Sequence, residues 1–160
     1  MSKQPLFEIS DQLSVTYSYH YGGITPFFEA LLDRPDTFPV SQCAECDLTF
    51  CPPRIDCQRC WNSTDWIRHS GEGTIEAVVW AYWVPLDSPA RTWTDLPYAY
   101  AAVRLDGCVN LLRVRVTGLD QRQPIKASTG VRGRLTTVES PTARLGDLVF
   151  VAAPADAEPA

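Results

Sequence analysis

The chain has 160 residues, 45% of them hydrophobic, and its 19 acidic and 14 basic side chains give a net charge of -5. This length suits one typical domain whose core does not need disulfides. The negative charge argues against a long nucleic-acid interface, because the phosphate backbone is itself negative. No apolar run approaches the roughly 18 residues of a membrane span, and the first ten residues lack the apolar run of a signal peptide, so we expect a cytoplasmic protein.

The N-terminal region carries two local patterns. Residues 13–21 place aromatic and aliphatic side chains at every second position, which predicts an extended segment. Thr25 and Pro26 are typical of a helix start, and apolar residues at i, i+4 spacing follow them. The sequence therefore predicts a short helix from about Pro26 to Asp33, with an apolar stripe made by Phe27, Phe28, Leu31 and Leu32.

Five of the six cysteines lie in one stretch, CAECDLTFCPPRIDCQRC, at 43–60. Four of them form two Cys-x-x-Cys pairs with ten residues between the pairs, and each two-residue spacer lets a turn direct both sulfurs at one point. In a reducing cytoplasm, clustered cysteines are more often metal ligands than disulfide partners. We therefore predict a four-thiolate metal site whose ligands are Cys43, Cys46, Cys57 and Cys60.

Four thiolates suit both zinc and rubredoxin-like iron. Zinc is favoured because nothing else in the sequence indicates electron transfer, and a closed four-sulfur zinc site is structural since it leaves no position for water or substrate. Cys51 does not fit the pair spacing, and no neighbouring histidine or basic residue in the sequence lowers its pKa. We predict that Cys51 packs as a buried residue, and we expect the same of Cys108.

After Gly73 the sequence changes to alternating, β-branched and aromatic segments that are typical of strands. Asp106-Gly107 is a strong signal for a two-residue hairpin turn. Five short strands with one polar face suit a closed barrel better than an open sheet with exposed edges. We predict a mainly β protein with a five-stranded OB-fold barrel, built from strands at Thr74–Val84, Tyr98–Leu105, Val109–Val116, Gly130–Val138 and Asp147–Ala152.

The composition divides the chain into four parts. The cysteine cluster separates a helical N-terminal region from a strand-rich C-terminal half, and the final PADAEPA is too poor in apolar residues to order itself. We predict an N-terminal extended segment and helix at 1–40, a rubredoxin-like zinc ribbon at 41–70, the OB-fold at 71–153 and a disordered tail at 154–160.

Several short motifs surround the cysteine cluster. Pro-Pro-Arg lies between the cysteine pairs, a tryptophan follows them, and Ser-Gly-x-Gly-Thr opens the first barrel strand. Together with the helix TPFFEALLD and the segment PYAYAAVRLDG, they resemble the family of small zinc-ribbon plus OB-fold proteins associated with acyl-CoA enzymes. The resemblance covers roughly residues 20 to 152, and the sequence departs from it at Cys51 and in an unusually aromatic first strand and loop. The matching residues are Cys43, Cys46, Pro52, Pro53, Arg54, Cys57, Cys60, Trp66, Ser70, Gly71, Gly73 and Thr74.

The resemblance implies an accessory subunit. Members of this family bind a thiolase, a ketosynthase-like enzyme, a thiolase-like aldolase or a hydratase, and help to shape its acyl-CoA channel. A hetero-oligomer that forms or cleaves carbon-carbon bonds on acyl-CoA thioesters is therefore expected, with the catalytic residues in the partner. No nucleophile and base are assembled in this sequence, and we predict no catalytic residue in it.

Two groups of side chains are candidates for binding in such a complex. Arginines alternate with apolar residues on two predicted strands, and they suit the phosphates of coenzyme A, although charged outer faces are also usual in barrels. The phosphate candidates are Arg113, Arg115, Arg132 and Arg134. The candidate partner interface consists of the helix stripe Phe27, Phe28, Leu31 and Leu32 together with Trp93, which lies in a long loop at 85–97.

A second function hypothesis is binding of single-stranded nucleic acid. Zinc ribbons and OB-folds both serve that role in other proteins, and exposed aromatic residues can stack on bases. The net charge of -5 and the presence of only two lysines, Lys3 and Lys126, argue against it.

Overall fold

The computed structural model describes residue 15 and residues 18–84 and 96–154. They form one short helix, a three-stranded sheet that carries the cysteine pairs, and a closed five-stranded barrel. Within these ranges no helix is long and apolar enough to cross a membrane. The elements are α1 (Thr25–Leu32), β1 (Phe38–Gln42), β2 (Thr49–Phe50), β3 (Asp65–His69), β4 (Glu72–Ala81), β5 (Tyr98–Leu105), β6 (Leu112–Thr117), β7 (Arg132–Thr137) and β8 (Leu148–Ala152), with 3₁₀ turns at Gly22–Ile24, Ile125–Ser128 and Leu145–Asp147.

Three sequence predictions fall mostly outside the described residues. The extended segment at 13–21 is described at residues 15 and 18–21, and the long loop that contains Trp93 is described only at its last two positions. The tail is described only at Pro154. These three stay predictions.

The predicted helix is confirmed as α1, and it begins one residue earlier than expected. Thr25 is the first helical residue, and its hydroxyl donates a hydrogen bond to the carbonyl of Gly22 over 2.6 Å. Pro26 follows in the first turn, where a backbone N–H would have no intrahelical acceptor, so that proline costs no hydrogen bond there. Thr25 and Pro26 therefore mark the helix start as predicted, although Thr25 is itself the first helical residue and does not precede the helix.

The apolar stripe of α1 faces the interior of this chain. Phe27 and Leu31 are fully buried, Phe28 is 4% exposed, and the ring of Tyr21 stacks on Phe28 with 3.5 Å between centroids. The prediction that the stripe faces a partner is therefore wrong for Phe27, Phe28 and Leu31. Periodicity identifies an apolar face but does not say whether it packs within the chain or against another. Leu32, at 50% exposure, is the stripe residue that remains on the surface.

β1 is the central strand of the ribbon sheet, whose order is β2-β1-β3 with both pairs antiparallel. It pairs with β3 along its whole length, from Phe38 opposite His69 to Gln42 opposite Asp65. Because β1 is sandwiched between α1 and the rest of the fold, four of its five residues are buried. Its end fixes the position of the first cysteine.

The barrel confirms the predicted five-stranded OB-fold. Its strand order is β4-β5-β6-β8-β7, and β7 pairs back with β4 to close it. The pair β6 and β8 is parallel, and the other neighbours are antiparallel. Alternation places Leu112, Val114 and Val116 of β6 inside the barrel, as the sequence pattern predicted.

The connection between β5 and β6 differs from the predicted tight hairpin. The turn exists, with Gly107 at φ +72 and the Cys108 N–H bonded to the Leu105 carbonyl, but β6 begins only at Leu112. The intervening residues bind the ribbon instead: the Val109 N–H donates to the Thr49 carbonyl over 3.0 Å. The return strand starts late because its expected first residues pair with β2.

Asn110 completes this junction between ribbon and barrel. Its side-chain oxygen accepts the Cys51 N–H over 2.8 Å, and its side-chain nitrogen donates to the Pro52 carbonyl over 3.3 Å. Cys51 and Cys108 are buried on either side of the junction, in one hydrophobic core that also includes α1 and the barrel. Helix, ribbon and barrel therefore share one core, and Cys51 packs as predicted.

We expect Asn110→Ala to loosen the ribbon from the barrel. The substitution leaves a partly buried N–H and carbonyl without their partner, which costs about 2 kcal/mol of the free energy of unfolding. Urea denaturation followed by circular dichroism measures the loss. Asn62→Ala removes an exposed asparagine from the same ribbon and should change stability by less than about 0.5 kcal/mol. An equal effect of both substitutions would contradict the assignment.

Candidate metal centre

The two cysteine pairs lie in turns with the same hydrogen-bonding pattern. The N–H four residues after the first cysteine donates to that cysteine's carbonyl, from Asp47 to Cys43 over 2.9 Å and from Trp61 to Cys57 over 3.0 Å. Asp47 and Trp61 both adopt positive φ, at 53° and 65°. Each Cys-x-x-Cys pair is thus held by a tight turn that directs its two sulfurs to the same side.

The four sulfurs converge on one point between the two turns. All four Sγ atoms lie within 4.8 Å of one another, and those of Cys43 and Cys60 are 3.5 Å apart. A tetrahedral zinc ion with sulfur ligands at about 2.3 Å needs sulfurs about 3.8 Å from each other. Cys43 and Cys57 are fully buried and pack with Phe50 in a small cluster of their own. The cluster therefore has the size and ligand set of a metal site.

The protonation of these thiols is strongly affected by their crowding. N–H groups of Cys60 and Arg59 bond to the Cys57 sulfur and lower the pKa of Cys57 to about 7. Hydrogen bonding to the Cys60 sulfur, together with burial, raises the pKa of Cys46 to about 12, and burial raises that of Cys43. The Cys57 sulfur is therefore prepared as a thiolate, whereas the thiols of Cys43 and Cys46 need a cation to lose their protons near neutral pH.

A tetrahedral metal held by all four cysteines has no open coordination position. Within the described residues, the group of potential ligands contains these four cysteines and no histidine or carboxylate. Such a site supports folding of the ribbon rather than activation of a water molecule or substrate.

The remaining two cysteines do not have the properties of nucleophiles. Burial raises the pKa of Cys51, and burial together with the charge of Asp106 raises the pKa of Cys108 to about 11. Both stay protonated at neutral pH, whereas the thiolate is the reactive form.

The four predicted phosphate-binding arginines do not form one cluster. β8 lies between β6, which carries Arg113 and Arg115, and β7, which carries Arg132 and Arg134. The two strands are not neighbours, because an OB-fold barrel inserts its last strand between its third and fourth. No local pattern indicates which strands pair when they are distant along the chain.

The arginines of β7 bind other parts of this chain. The Arg132 guanidinium donates to both carboxylate oxygens of Asp106, each over 2.6 Å, and lowers the pKa of that carboxyl. Arg134 donates to the backbone carbonyls of Ser70, over 3.1 Å, and Asp36, over 2.7 Å. Arg134 therefore stabilises the junction where the ribbon enters the barrel, whereas Arg132 holds the turn that follows β5.

The arginines of β6 line a groove of about 450 Å³ on the outside of the barrel. Arg113 is exposed, and Arg115 is half-buried, so that burial lowers the pKa of its guanidinium. Within the described part of the chain, none of the groove's lining residues is acidic. Its walls include Pro52, Tyr100 and Leu145.

Sequence reasoning missed two features of the metal centre. Asp47 and Trp61 adopt the positive φ that each turn requires. Aspartate is a residue type that tolerates this conformation, and tryptophan is not. Asn110, which fixes the ribbon to the barrel, lies fifty residues after the second cysteine pair. The position of Asp47, four residues after Cys43, indicates its role in the turn, but no local pattern indicates the role of Asn110.

No protein-family model matches the sequence, and a search among curated proteins finds no match. Solved structures share the fold. One, described as the Ltp2-ChsH2(DUF35) aldolase, is 22% identical with a TM-score of 0.63, and the match covers 85% of this chain and 98% of that chain. Another, a DUF35 family protein of unknown function from Sulfolobus solfataricus, is 17% identical with a TM-score of 0.55, covering 84% and 90% of the two chains. The protein therefore has the DUF35 fold, a cysteine-rich ribbon joined to an OB-fold barrel.

We expect Cys57→Ser to abolish stoichiometric metal binding, because it removes a ligand sulfur whose pKa is lowered to about 7. Cys51→Ala is the matched control, since it removes a cysteine that lies outside the ligand group. Elemental analysis of both purified proteins by mass spectrometry gives the metal content. A metal-free Cys51→Ala protein, or a fully loaded Cys57→Ser protein, would contradict the assignment of ligands.

Zinc affinity should fall steeply on acidification. Below the pKa of about 7 the Cys57 sulfur carries a proton that the metal has to displace, and Cys46, with a pKa of about 12, releases a proton on binding throughout the neutral range. We expect affinity at pH 6 to be at least about 100-fold weaker than at pH 8. Competition with a chromophoric chelator across this range measures it. A pH-independent affinity would show that the ligands are not thiols.

Proposed function

We propose that this chain is a DUF35 family member and a non-catalytic accessory subunit of an acyl-CoA enzyme. It binds an enzyme of the thiolase superfamily, such as a thiolase, a ketosynthase-like enzyme or a thiolase-like aldolase, and supports carbon-carbon bond formation or cleavage on acyl-CoA thioesters. The observation that carries the proposal is the match of this chain to 98% of a DUF35 chain whose structure is described as an aldolase. The ribbon motifs and the OB-fold strand order support the same assignment.

The proposed metal is a structural zinc ion bound by the four cysteines of the ribbon. Zinc accepts four thiolates in tetrahedral geometry and has no redox chemistry of its own. All six cysteines are free thiols, which suits a protein that works in the reducing cytoplasm.

The reacting groups are proposed to lie in the partner enzyme. Four cysteines of this chain belong to the metal group, and the other two are buried thiols with raised pKa values. The role left for this chain is to bind and position, through its barrel surface and the interface with its partner.

Of the four arginines predicted to bind the phosphates of coenzyme A, we propose only Arg113 and Arg115. They line an outer groove that has no acidic lining residue in the described part of the chain, whereas the Arg132 guanidinium is paired with the Asp106 carboxylate. Guanidinium groups bind phosphate through charge-assisted hydrogen bonds. The aromatic ring of Tyr100, 38% exposed at the same groove, offers a surface for a base to stack on.

The proposed partner interface retains two members of the predicted set. Leu32 is exposed at the end of α1, and Trp93 lies outside the described residues. Co-expression with the thiolase-superfamily enzyme of the same organism tests the assembly: both chains should elute together, and the enzyme should lose activity or stability without this chain. Full activity and stability of the enzyme alone would refute the accessory role.

The double substitution Arg113→Ala and Arg115→Ala should raise the Michaelis constant of the complex for its CoA thioester by at least about tenfold, because two charge-assisted contacts to phosphate are lost. The turnover number should stay unchanged. Steady-state kinetics with the matching pantetheine thioester, which lacks the nucleotide, should show no difference between variant and wild type. Arg122→Ala, at an exposed position away from the groove, is the control for charge alone. An unchanged Michaelis constant for the CoA ester would refute the phosphate contact.

A further inference from the structure

β3 forms an unpaired edge of the ribbon sheet. In the described part of the chain it pairs with β1 on one side, and no strand lies on its other side. Residues 55–57 pair with residues 62–64 on that other side, so the free edge begins at Asp65. Its five residues pair with β1 without a bulge, and Trp66 is 43% exposed. A straight edge strand offers a row of N–H and C=O groups to any further strand, which most proteins prevent by a bulge, a proline or charged side chains, above all lysine. β3, with the sequence DWIRH, has no bulge, proline or lysine, and its two charged residues, Asp65 and Arg68, are of opposite sign.

The register shows which backbone groups face outward. Residues of an antiparallel pair alternate between those that exchange hydrogen bonds and those that do not. Pro39 has no N–H and lies opposite Arg68, which places this pair in the class without hydrogen bonds. In agreement, Thr64, which has the same parity on β3, donates its N–H to the Ile55 carbonyl and not to β1. The backbone groups of Trp66 and Arg68 therefore face the free edge.

The edge is complementary to itself. If two copies of β3 run antiparallel about a two-fold axis at Ile67, Trp66 of each copy lies opposite Arg68 of the other. These are the two residues whose backbone groups face outward, so each opposed pair can exchange both of its N–H···O bonds. Asp65 lies opposite His69, and no like charges meet. A register shifted by one residue would pair an outward-facing residue with an inward-facing one and would lose this match.

The side chains of the same register are also complementary. Opposed residues of an antiparallel pair place their side chains on the same face. The Arg68 guanidinium, which donates to the Thr37 carbonyl of its own chain over 3.3 Å, therefore lies on the same face as the indole of Trp66 of the other copy and can turn to it. Trp66 and Arg68 line a groove of about 310 Å³ between the sheet and α1, where Pro26 and Ala30 form the opposite wall. The groove has room for the Trp66 and Arg68 side chains of the second copy beside the sheet.

We propose that β3 is a homodimerisation edge, at which a second copy of this chain pairs antiparallel with the first and joins the two ribbon sheets into one sheet of six strands. The contact is isologous, so it closes at two copies and does not propagate. It is independent of the proposed accessory role, because it needs neither acyl-CoA nor a partner enzyme.

Two substitutions at one position test the proposal on the full-length, zinc-loaded protein. Arg68→Pro and Arg68→Ala both remove the guanidinium, but only the proline also removes the outward N–H, and it leaves pairing with β1 intact because Arg68 does not bond to β1. Sedimentation equilibrium of the wild type should show a species of twice the 17.8 kDa chain mass. The dimer of Arg68→Ala should be weaker than wild type, and that of Arg68→Pro weaker by at least about a further tenfold.

Amide hydrogen exchange gives a second measurement that locates the contact. Exchange at residues 66 and 68 should slow as the wild-type concentration rises through the dimerisation range, while other exposed amides stay unchanged. A wild-type protein that remains monomeric at high micromolar concentration would overturn the proposal, as would equal dimerisation by the two variants. If the wild type is monomeric and Arg68→Pro alone loses binding to a co-expressed partner enzyme, the edge belongs to a segment of that enzyme and the homodimer is excluded. Thermal unfolding by circular dichroism checks that both variants fold.

Discussion

The crowding of four thiols in a space less than 5 Å across is the constraint on which the ribbon depends. Apart from the sulfurs, the small cluster around them contains little apolar surface, with Phe50 as its one fully buried large side chain among the described residues. Two tight turns with positive φ bring the sulfurs together, and such backbone conformations are retained only when something else in the structure holds them. A cation bound by the four sulfurs would supply that stabilisation, because it would convert mutual repulsion between thiolates into attraction to a common centre.

The ribbon does not stand apart from the rest of the molecule. Its central strand β1 contributes Phe38 and Val40 to the core that α1 and the barrel share, and the β5 to β6 connection pairs with β2. Arg134 of β7 adds hydrogen bonds across the same boundary, to the carbonyls of Ser70 and Asp36. This arrangement makes the orientation of the ribbon relative to the barrel a property of the fold, so that a surface made of both parts can have a fixed shape.

Most of the architecture was predictable from the sequence, because the relevant signals are local. The cysteine spacing identified the ligand group, and β-branched alternation identified all five barrel strands, with Tyr98–Leu105 correct at both ends. The failures concern pairings between distant segments. Neither the position of β8 between β6 and β7 nor the burial of Phe27 within this chain is encoded in a short window. The late start of β6 at Leu112 depends on Thr49, which lies more than sixty residues earlier.

The groove on β6 has one wall that does not belong to the barrel. Pro52, which follows the strand between the two cysteine pairs, lines it together with Tyr100 and Leu145. The groove is therefore complete only when the ribbon is folded and attached through Asn110. A metal ion held by the four sulfurs would therefore also be a condition for the shape of this groove, because without a folded ribbon the wall that contains Pro52 is lost.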